Sequence, residues 1–312
     1  MILKNFEVIV LNSHGVGQFC NIKRLPALGE TLRAWNWRIE EDGGKGTNVS
    51  VALGRLNIKT AYIGKVGNDL WGDLGEKWMQ DAGVDTTYMY RSDEVATGTG
   101  LVMVDEDGRN TIVDGDSSSE ALTVEEIRTA IDHMKHSKIF ITGFAIPEAL
   151  AIEGAKMAKS HGITTMLNPS PLPEEPMGDL SFIDYLVLND VEGKFLLDIP
   201  QNTELTAHEI IDRVREKYHC GSVIMTMGSK GSVGLDAEGF WQVEPTSVKA
   251  VDTTGAGDGY LAAIAANLIQ GNDIRTASEW ASKYASLTVT KVGTLRAYSP
   301  LKEVDEFILG LQ

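Results

Sequence analysis

Short apolar runs rich in β-branched residues recur along this chain, each followed by a stretch of helical periodicity. They include Val8 to Leu11, Ala61 to Val66, Ile139 to Thr142, Thr164 to Leu167, Tyr185 to Leu188 and Val223 to Met227. These runs are apolar throughout rather than alternating, so each reads as a strand buried on both faces. Strands of that kind alternating with helices imply βαβ units around a parallel sheet, and the fold class is α/β. Several of the runs lead into a polar or glycine residue, namely Asn168, Asn189 and Gly228. In an open α/β sheet the ligand crevice lies at the carboxyl ends of the strands, so these residues are expected around one cleft.

Two stretches break the rhythm. From Glu30 to Glu40 the residues alternate, placing Arg33, Trp35, Trp37 and Ile39 on one face of a half-exposed strand. From Thr97 to Val113 the chain reads as a hairpin around turn residues Asp105 to Asn110. Both are expected in one small sheet that projects from the body as a lid or a dimer contact. Trp35 and Trp37 would either cover its apolar face or touch ligand. At 312 residues the chain is long enough for two domains, yet a single domain over 1–312, with a β lid at about 12–40 and 95–115, fits equally well. The Pro-rich loop from Asn168 to Pro176 is short enough to be a connection after a strand.

The formal net charge of −16 has the wrong sign for a protein whose main partner is nucleic acid or an anionic membrane. Acidic Glu7 interrupts the first apolar run, unlike a secretory signal, and the span Gly259 to Gly271 is too short to cross a bilayer. Cys20 and Cys220 form neither a disulfide framework nor a metal-ligand pattern, which favours a reducing cytoplasm. His133, His136, His161, His208 and His219 show no metal spacing either, and Cys220 reads as a packing residue.

The segment most suggestive of chemistry is Asp252-Thr253-Thr254-Gly255-Ala256-Gly257-Asp258, which opens a long apolar helix. Small residues let backbone N–H groups approach an anion, and the helix start points its positive end at the same spot. An acid at the mouth of such an anion hole repels phosphate but suits removal of a proton from an attacking hydroxyl. Asp258 is therefore the candidate base. The alternative is a tight turn with an acidic N-cap.

A second glycine-rich entry to a helix, Asp42 to Asn48, precedes a helix whose apolar face carries Val49, Ala52, Leu53 and Leu56. Gly46 follows Lys45, so this is not a Walker loop, and a dinucleotide GxGxxG is missing. Asn48 could present its amide to ligand hydroxyls or serve as an N-cap or turn residue. Asn189 and Glu192 could order water around Mg2+, although their spacing also suits a capping box. Thr226 to Gly231 is a strand followed by a glycine loop able to pass over phosphates.

Taken together and in this order, the four segments resemble the ribokinase-like (PfkB) carbohydrate kinase family, over essentially the whole chain from Pro26 onward. The resemblance implies a Rossmann-like ribokinase fold, a mostly parallel sheet flanked by helices, and a β lid that often dimerises. It also implies ATP-dependent phosphorylation of a sugar hydroxyl, with a sugar, polyol or nucleoside as small-molecule partner. Carried over by position, Asp258 matches the family's base and Gly255, Ala256 and Gly257 its anion hole. Asn189 and Glu192 match the positions that organise Mg2+ and phosphates, while Thr226, Gly228, Lys230 and Gly231 fall on the nucleotide loop. Gly43, Gly44, Lys45 and Asn48 lie on the sugar side. Asp252, the Thr254 carbonyl and the Gly293 loop resemble a monovalent-cation site for an ion such as K+.

Two departures bear on substrate. Gly17 stands where ribokinases carry an aspartate for sugar hydroxyls, and a second acidic contact falls near Phe144 or Ala145. A site without those carboxylates loses its charged hydroxyl acceptors, which makes ribose doubtful. Asn12, His14 or Gln18 could supply polar replacements, although a lone His14 near a strand end reads equally well as structural. Within the same fold, one alternative is a kinase for a nucleoside, or for a phosphosugar with Lys45, Arg33 or Arg38 as a cationic clamp. A non-catalytic sugar-binding regulatory protein is another.

Overall fold

The computed structural model describes residues 5–39, 41–107, 109–115, 117–174 and 177–311. Met1 to Lys4 of the first run, Glu40 at the close of the alternating segment, Gly108 in the hairpin turn and Pro176 ending the Pro-rich loop lie outside them. The run Val8–Leu11 forms strand β1, with every side chain 1% exposed or less. Enclosing side chains of this size contributes about 1.5–3 kcal/mol each. The other strands are β2 (Gly15–Asn21), β3 (Trp35–Ile39), β4 (Thr60–Gly67), β5 (Asp85–Ser92), β6 (Gly98–Val104) and β7 (Asn110–Asp114). They continue with β8 (Ile139–Gly143), β9 (Thr164–Asn168), β10 (Tyr185–Asn189), β11 (Ser222–Thr226), β12 (Ser232–Leu235) and β13 (Phe240–Val243).

A nine-stranded sheet has the order β13-β12-β11-β10-β9-β8-β1-β4-β5. Its pairings are parallel except at the β12 and β13 edge, which is antiparallel. All six expected strands are present in it. The helices are α1 (Gly44–Arg55), α2 (Leu70–Asp81), α3 (Val124–His133), α4 (Glu148–Ser160), α5 (Asp190–Leu196), α6 (Ala207–Tyr218), α7 (Ala256–Ile269), α8 (Ile274–Thr288) and α9 (Leu301–Leu309).

Alternate strand residues face opposite helical layers, as the two-residue period of a strand requires. Val8, Val10, Ile139, Ile141 and Ile224 join α1, α7 and α8 in one core. Ile9, Leu11, Phe140, Leu186 and Met225 join α3, α4 and α6 in the other. Chain order reverses beside β1, with β4 and β5 on one side and β8 on the other, and the carboxyl edge at such a reversal is where an open α/β sheet places its ligand site.

The lid is a second sheet of order β3-β2-β6-β7. The expected hairpin is β6 and β7, paired antiparallel. β2 is the strand that the reading of the sequence does not single out, and it joins β3 to β6. The half-exposed strand is corrected: β3 begins only at Trp35 and is exposed at every position, with Trp35, Trp37 and Ile39 at 43%, 59% and 46%. Among the described residues no element covers either face of this edge strand, so alternation does not produce burial.

His14, just before β2, secures the lid's root to the body. Its Nε2–H donates to the Trp71 carbonyl at 3.1 Å, and its Nδ1 accepts from the Thr47 hydroxyl at 2.8 Å. The carbonyl can only accept, which sets this tautomer. The ring is 1% exposed, and a Cβ on Gly75 would lie 2.3 Å from it. This corrects the expectation of His14 as a substrate contact, because both ring nitrogens are spent inside the fold. Burial lowers its pKa from 6.5 to about 4.

On acidification the unfolded chain therefore takes up the His14 proton first, and stability falls as pH drops from 6.5 toward 4. Between pH 7 and 5 this residue should cost about 2 kcal/mol. Urea titrations at both pH values, on the parent and His14→Asn, check it: the variant should lose that increment of pH dependence, and equal slopes would refute it.

Candidate active site

The glycine-rich entry to α1 is shaped by side chains that fold back on it. Gly44 takes a left-handed φ of +70°, and α1 lacks a side-chain cap at Gly43. Its first amides are served from either side of the turn. Asn48 Oδ1 accepts from Gly43 N–H at 3.1 Å, and Asp42 Oδ1 accepts from Gly44 N–H at 3.2 Å. Asn48 is thus an interior residue of α1 rather than its N-cap. Its Nδ2 donates to Asp42 Oδ1 and to Asp258 Oδ2, each at 2.9 Å, so both amide hydrogens are engaged by carboxylates. The expected face of α1 is buried at Val49, Ala52, Leu53 and Leu56.

Asp258 is the third residue of α7 and is 4% exposed. Its carboxylate bonds Asn48 and not its own helix, which removes the N-cap reading. Its other oxygen lies 3.3 Å from Lys45 Nζ. That proximity raises the Lys45 pKa, with Glu192 and Asp42 adding to the effect. At the α7 start, Ala256 N–H is used by the Thr253 carbonyl and Gly259 N–H by the Gly255 carbonyl. The N–H groups of Gly257 and Asp258 have no partner among the described residues. Two free amides at a helix N-terminus form an anion cradle. Gly255 turns the chain into this helix at φ +74°, and the Tyr298 hydroxyl donates to its carbonyl at 3.0 Å.

Asn189 and Glu192 form a full capping box on α5, with both bonds at 2.8 Å. The box leaves Glu192 7% exposed, and burial raises its pKa while Lys45 opposes the shift. Asn189 lies beside Thr226 in the β10–β11 register, so the two loops meet at one carboxyl edge. The Thr226 hydroxyl reaches back to the Leu188 carbonyl at 3.4 Å, and Gly228 to Lys230 follow as a single 3-10 turn. Gly228 and Gly231 both have positive φ there.

Asp252 holds two loops together. Its oxygens accept from Thr254 N–H and Gly293 N–H, each at 3.0 Å. Although burial works in the other direction, these donors bring its carboxyl below the usual aspartate range. The structure thus brings Asp252, Thr254 and Gly293 together. No three His, Cys, Asp or Glu side chains gather as a metal cage among the described residues.

Gly17 lies on β2, and a Cβ there would be 3.0 Å from the Phe19 ring. The Arg38 guanidinium lies over that ring, 5.4 Å from its centre, and Arg33 is exposed. Phe144 is 6% exposed within the helix-facing core. The reading of the sequence misses Asp42 and Tyr298 as parts of the site. Asp42's only signal is its place before the glycine pair, and Tyr298 lies 40 residues beyond the segment it supports.

Residues 40–300 match the family described as pfkB family carbohydrate kinase. A ribokinase of Staphylococcus aureus (strain COL) is 30% identical over 303 residues, 96% of this chain and 99% of that one. A deoxyribokinase of Salmonella typhi is 28% identical over 307 residues, covering 97% of this chain and 98% of its own. The structure of Arabidopsis thaliana ribokinase complexed with ribose and ATP has a TM-score of 0.85 at 25% identity, covering 98% of this chain and 99% of that chain.

The cradle predicts a contrast between two glycines. A Cβ at Gly255 would lie 2.4 Å from Thr294 Cγ2 and 2.6 Å from the Tyr298 hydroxyl, whereas one at Gly257 meets nothing within 4 Å. Gly255→Ala should cost about 2 kcal/mol in chemical denaturation. Gly257→Ala should match or exceed the parent in the same assay; equal losses at both positions would contradict the geometry.

Proposed function

Because the chain belongs to the pfkB family of carbohydrate kinases, we propose that it transfers the γ-phosphoryl group of ATP to a sugar hydroxyl, with Asp258 as base. The observation that carries this reading is a buried carboxylate beside two helix-start amides that have no partner among the described residues. A carboxylate there can accept a proton at the point where negative charge develops on phosphorus. Asn48 holds one oxygen of Asp258, leaving Oδ1 on the Lys45 side for the acceptor hydroxyl. The hydroxyl oxygen bonds to the γ-phosphorus as the bond to the β,γ-bridging oxygen breaks. ADP departs, and the proton rests on Asp258. Asp258, Gly255, Ala256 and Gly257 serve this step, and the reaction is mostly positioning.

Asn189, Glu192, Thr226, Gly228, Lys230 and Gly231 are assigned to the nucleotide, and Gly43, Gly44, Lys45 and Asn48 to the acceptor side. The donor set suits Mg2+ held through water and phosphate oxygens rather than in a protein cage, with Glu192 and Asn189 as the ordering groups. When bound, Mg2+ supplies charge neutralisation on the phosphates. The Asp252, Thr254 and Gly293 loops are the place for a monovalent cation such as K+. The identity of the relatives as ribokinase and deoxyribokinase supports a pentose-like acceptor, while Gly17 and the buried Phe144 favour one whose hydroxyls are held differently from ribose in its own kinases. The phosphosugar alternative has weaker support: Lys45 is committed to Asp258, and Arg38 to the Phe19 ring.

The exposed tryptophans on β3 and Val113 on β7, 55% exposed, suit burial against a second copy of the lid. Light scattering should find a dimer, and Trp37→Asp should shift it to monomer; a monomeric parent at micromolar concentration rules out this interface.

ADP release over a panel of sugars, polyols and nucleosides with ATP, Mg2+ and K+ tests the activity itself. Asp258→Asn should retain ATP binding by calorimetry while turnover falls by roughly three to five orders of magnitude. Turnover within tenfold of the parent would take Asp258 out of this role. Binding of a sugar with no ADP release from the parent would favour a sugar-binding regulatory protein.

A further inference from the structure

Resting on the kinase reading above, we propose that Asp42 is a specificity-determining acceptor for a second hydroxyl of the substrate, one or two carbons from the hydroxyl that Asp258 deprotonates. Asp42 Oδ1 is committed to Asn48 and Gly44. Its Oδ2 has no hydrogen-bond partner among the described residues, which is unusual for a half-buried carboxylate beside a polar cleft.

The same NH2 group of Asn48 donates to Asp42 and to Asp258 at 2.9 Å each, so the two carboxylates flank one point. The N–H bonds of a planar amide diverge by about 120°, which sets the two accepting oxygens roughly 5 Å apart. Those two oxygens, Asp42 Oδ1 and Asp258 Oδ2, are taken by Asn48, so the spacing sets the carboxylates side by side and leaves Asp42 Oδ2 and Asp258 Oδ1 as the atoms to which hydroxyls on nearby carbons of a polyol would donate, at an ordinary distance of about 2.7 Å. Asn48 has no hydrogen left for this task, so its role is to space the carboxylates rather than to touch the sugar. Neither place expected to carry an acidic sugar contact holds one: Gly17 has no side chain, and of Phe144 and Ala145 the first is packed in the core and the second has only a methyl group. Asp42 supplies the missing charge from a different direction, in the loop just before α1. The class of acceptor that fits is a neutral polyol with a hydroxyl, and nothing anionic, at that second position.

Asp42→Asn is the informative variant. With its carbonyl oxygen kept toward Asn48 and Gly44, it retains both internal bonds and replaces the free acceptor by a donor. The melting temperature should stay within about 3 °C of the parent. For the best substrate of the parent enzyme, kcat/KM should fall about 10- to 100-fold, mainly through KM. A monodeoxy series on the parent should contain one analogue with a similar loss, and that analogue should be used equally well by parent and variant. An intact variant within twofold of the parent on its best substrate overturns the proposal. So does a monodeoxy series in which every analogue is used as well as the full sugar, whatever the variant does. If the parent phosphorylates no sugar at all, the kinase reading itself fails, a result distinct from either of these.

Discussion

A single amide, that of Asn48, ties together two helix starts separated by 210 positions in the chain. Its two N–H bonds hold Asp42 and Asp258, and its carbonyl receives Gly43 N–H. Buried charge is costly unless partnered, and carboxylates at close range repel each other. The amide and the Lys45 ammonium together offset that repulsion, which explains how Asp258 remains 4% exposed beside Asp42 and Glu192. The consequence is that Asn48 holds the carboxylate at one oxygen, while the other, which accepts from Lys45, keeps a second lone pair to offer.

The rest of the scaffold keeps those starts in register. α7 is buried on nearly all sides between α1 and α8, so its direction is decided by packing before any ligand arrives. Its two unpartnered amides therefore point at a place set by the hydrophobic core, which is how preorganisation is built without a dedicated binding residue. On the opposite side of α1, the His14 ring connects Thr47 to Trp71 and anchors β2 where it leaves the body. The lid is thereby attached at its root while β3 stays exposed at its far edge.

Much of this was legible in the residues. Runs such as Val8 to Leu11 and Tyr185 to Leu188 suit a strand covered on both faces, and they form strands whose central residues are buried. The Asn189 and Glu192 spacing encodes a capping box in local geometry alone, and the box is present. β2 escaped because Gly15, Gly17 and Gln18 give it no apolar period; it is a strand through its pairing with β3 and β6. The alternation around Trp35 and Trp37 was visible, but burial depends on what lies opposite, and among the described residues no element does. His14 could be read either as a polar contact or as a structural residue, a choice made only by the presence of Thr47 and Trp71 around its ring.

By itself the sequence determined the α/β class, the glycine-rich helix starts and the presence of an acid at one of them, because these depend on periodicity and on contacts between near neighbours. Only the tertiary structure decided that Asp42 and Asp258 share Asn48, that Lys45 faces three carboxylates, and that Phe144 belongs to the core. The physical reason is that charge pairing and burial are set by distance in space. Segments as remote as Asp42 and Asp258 become neighbours only when β1, α1 and α7 have packed.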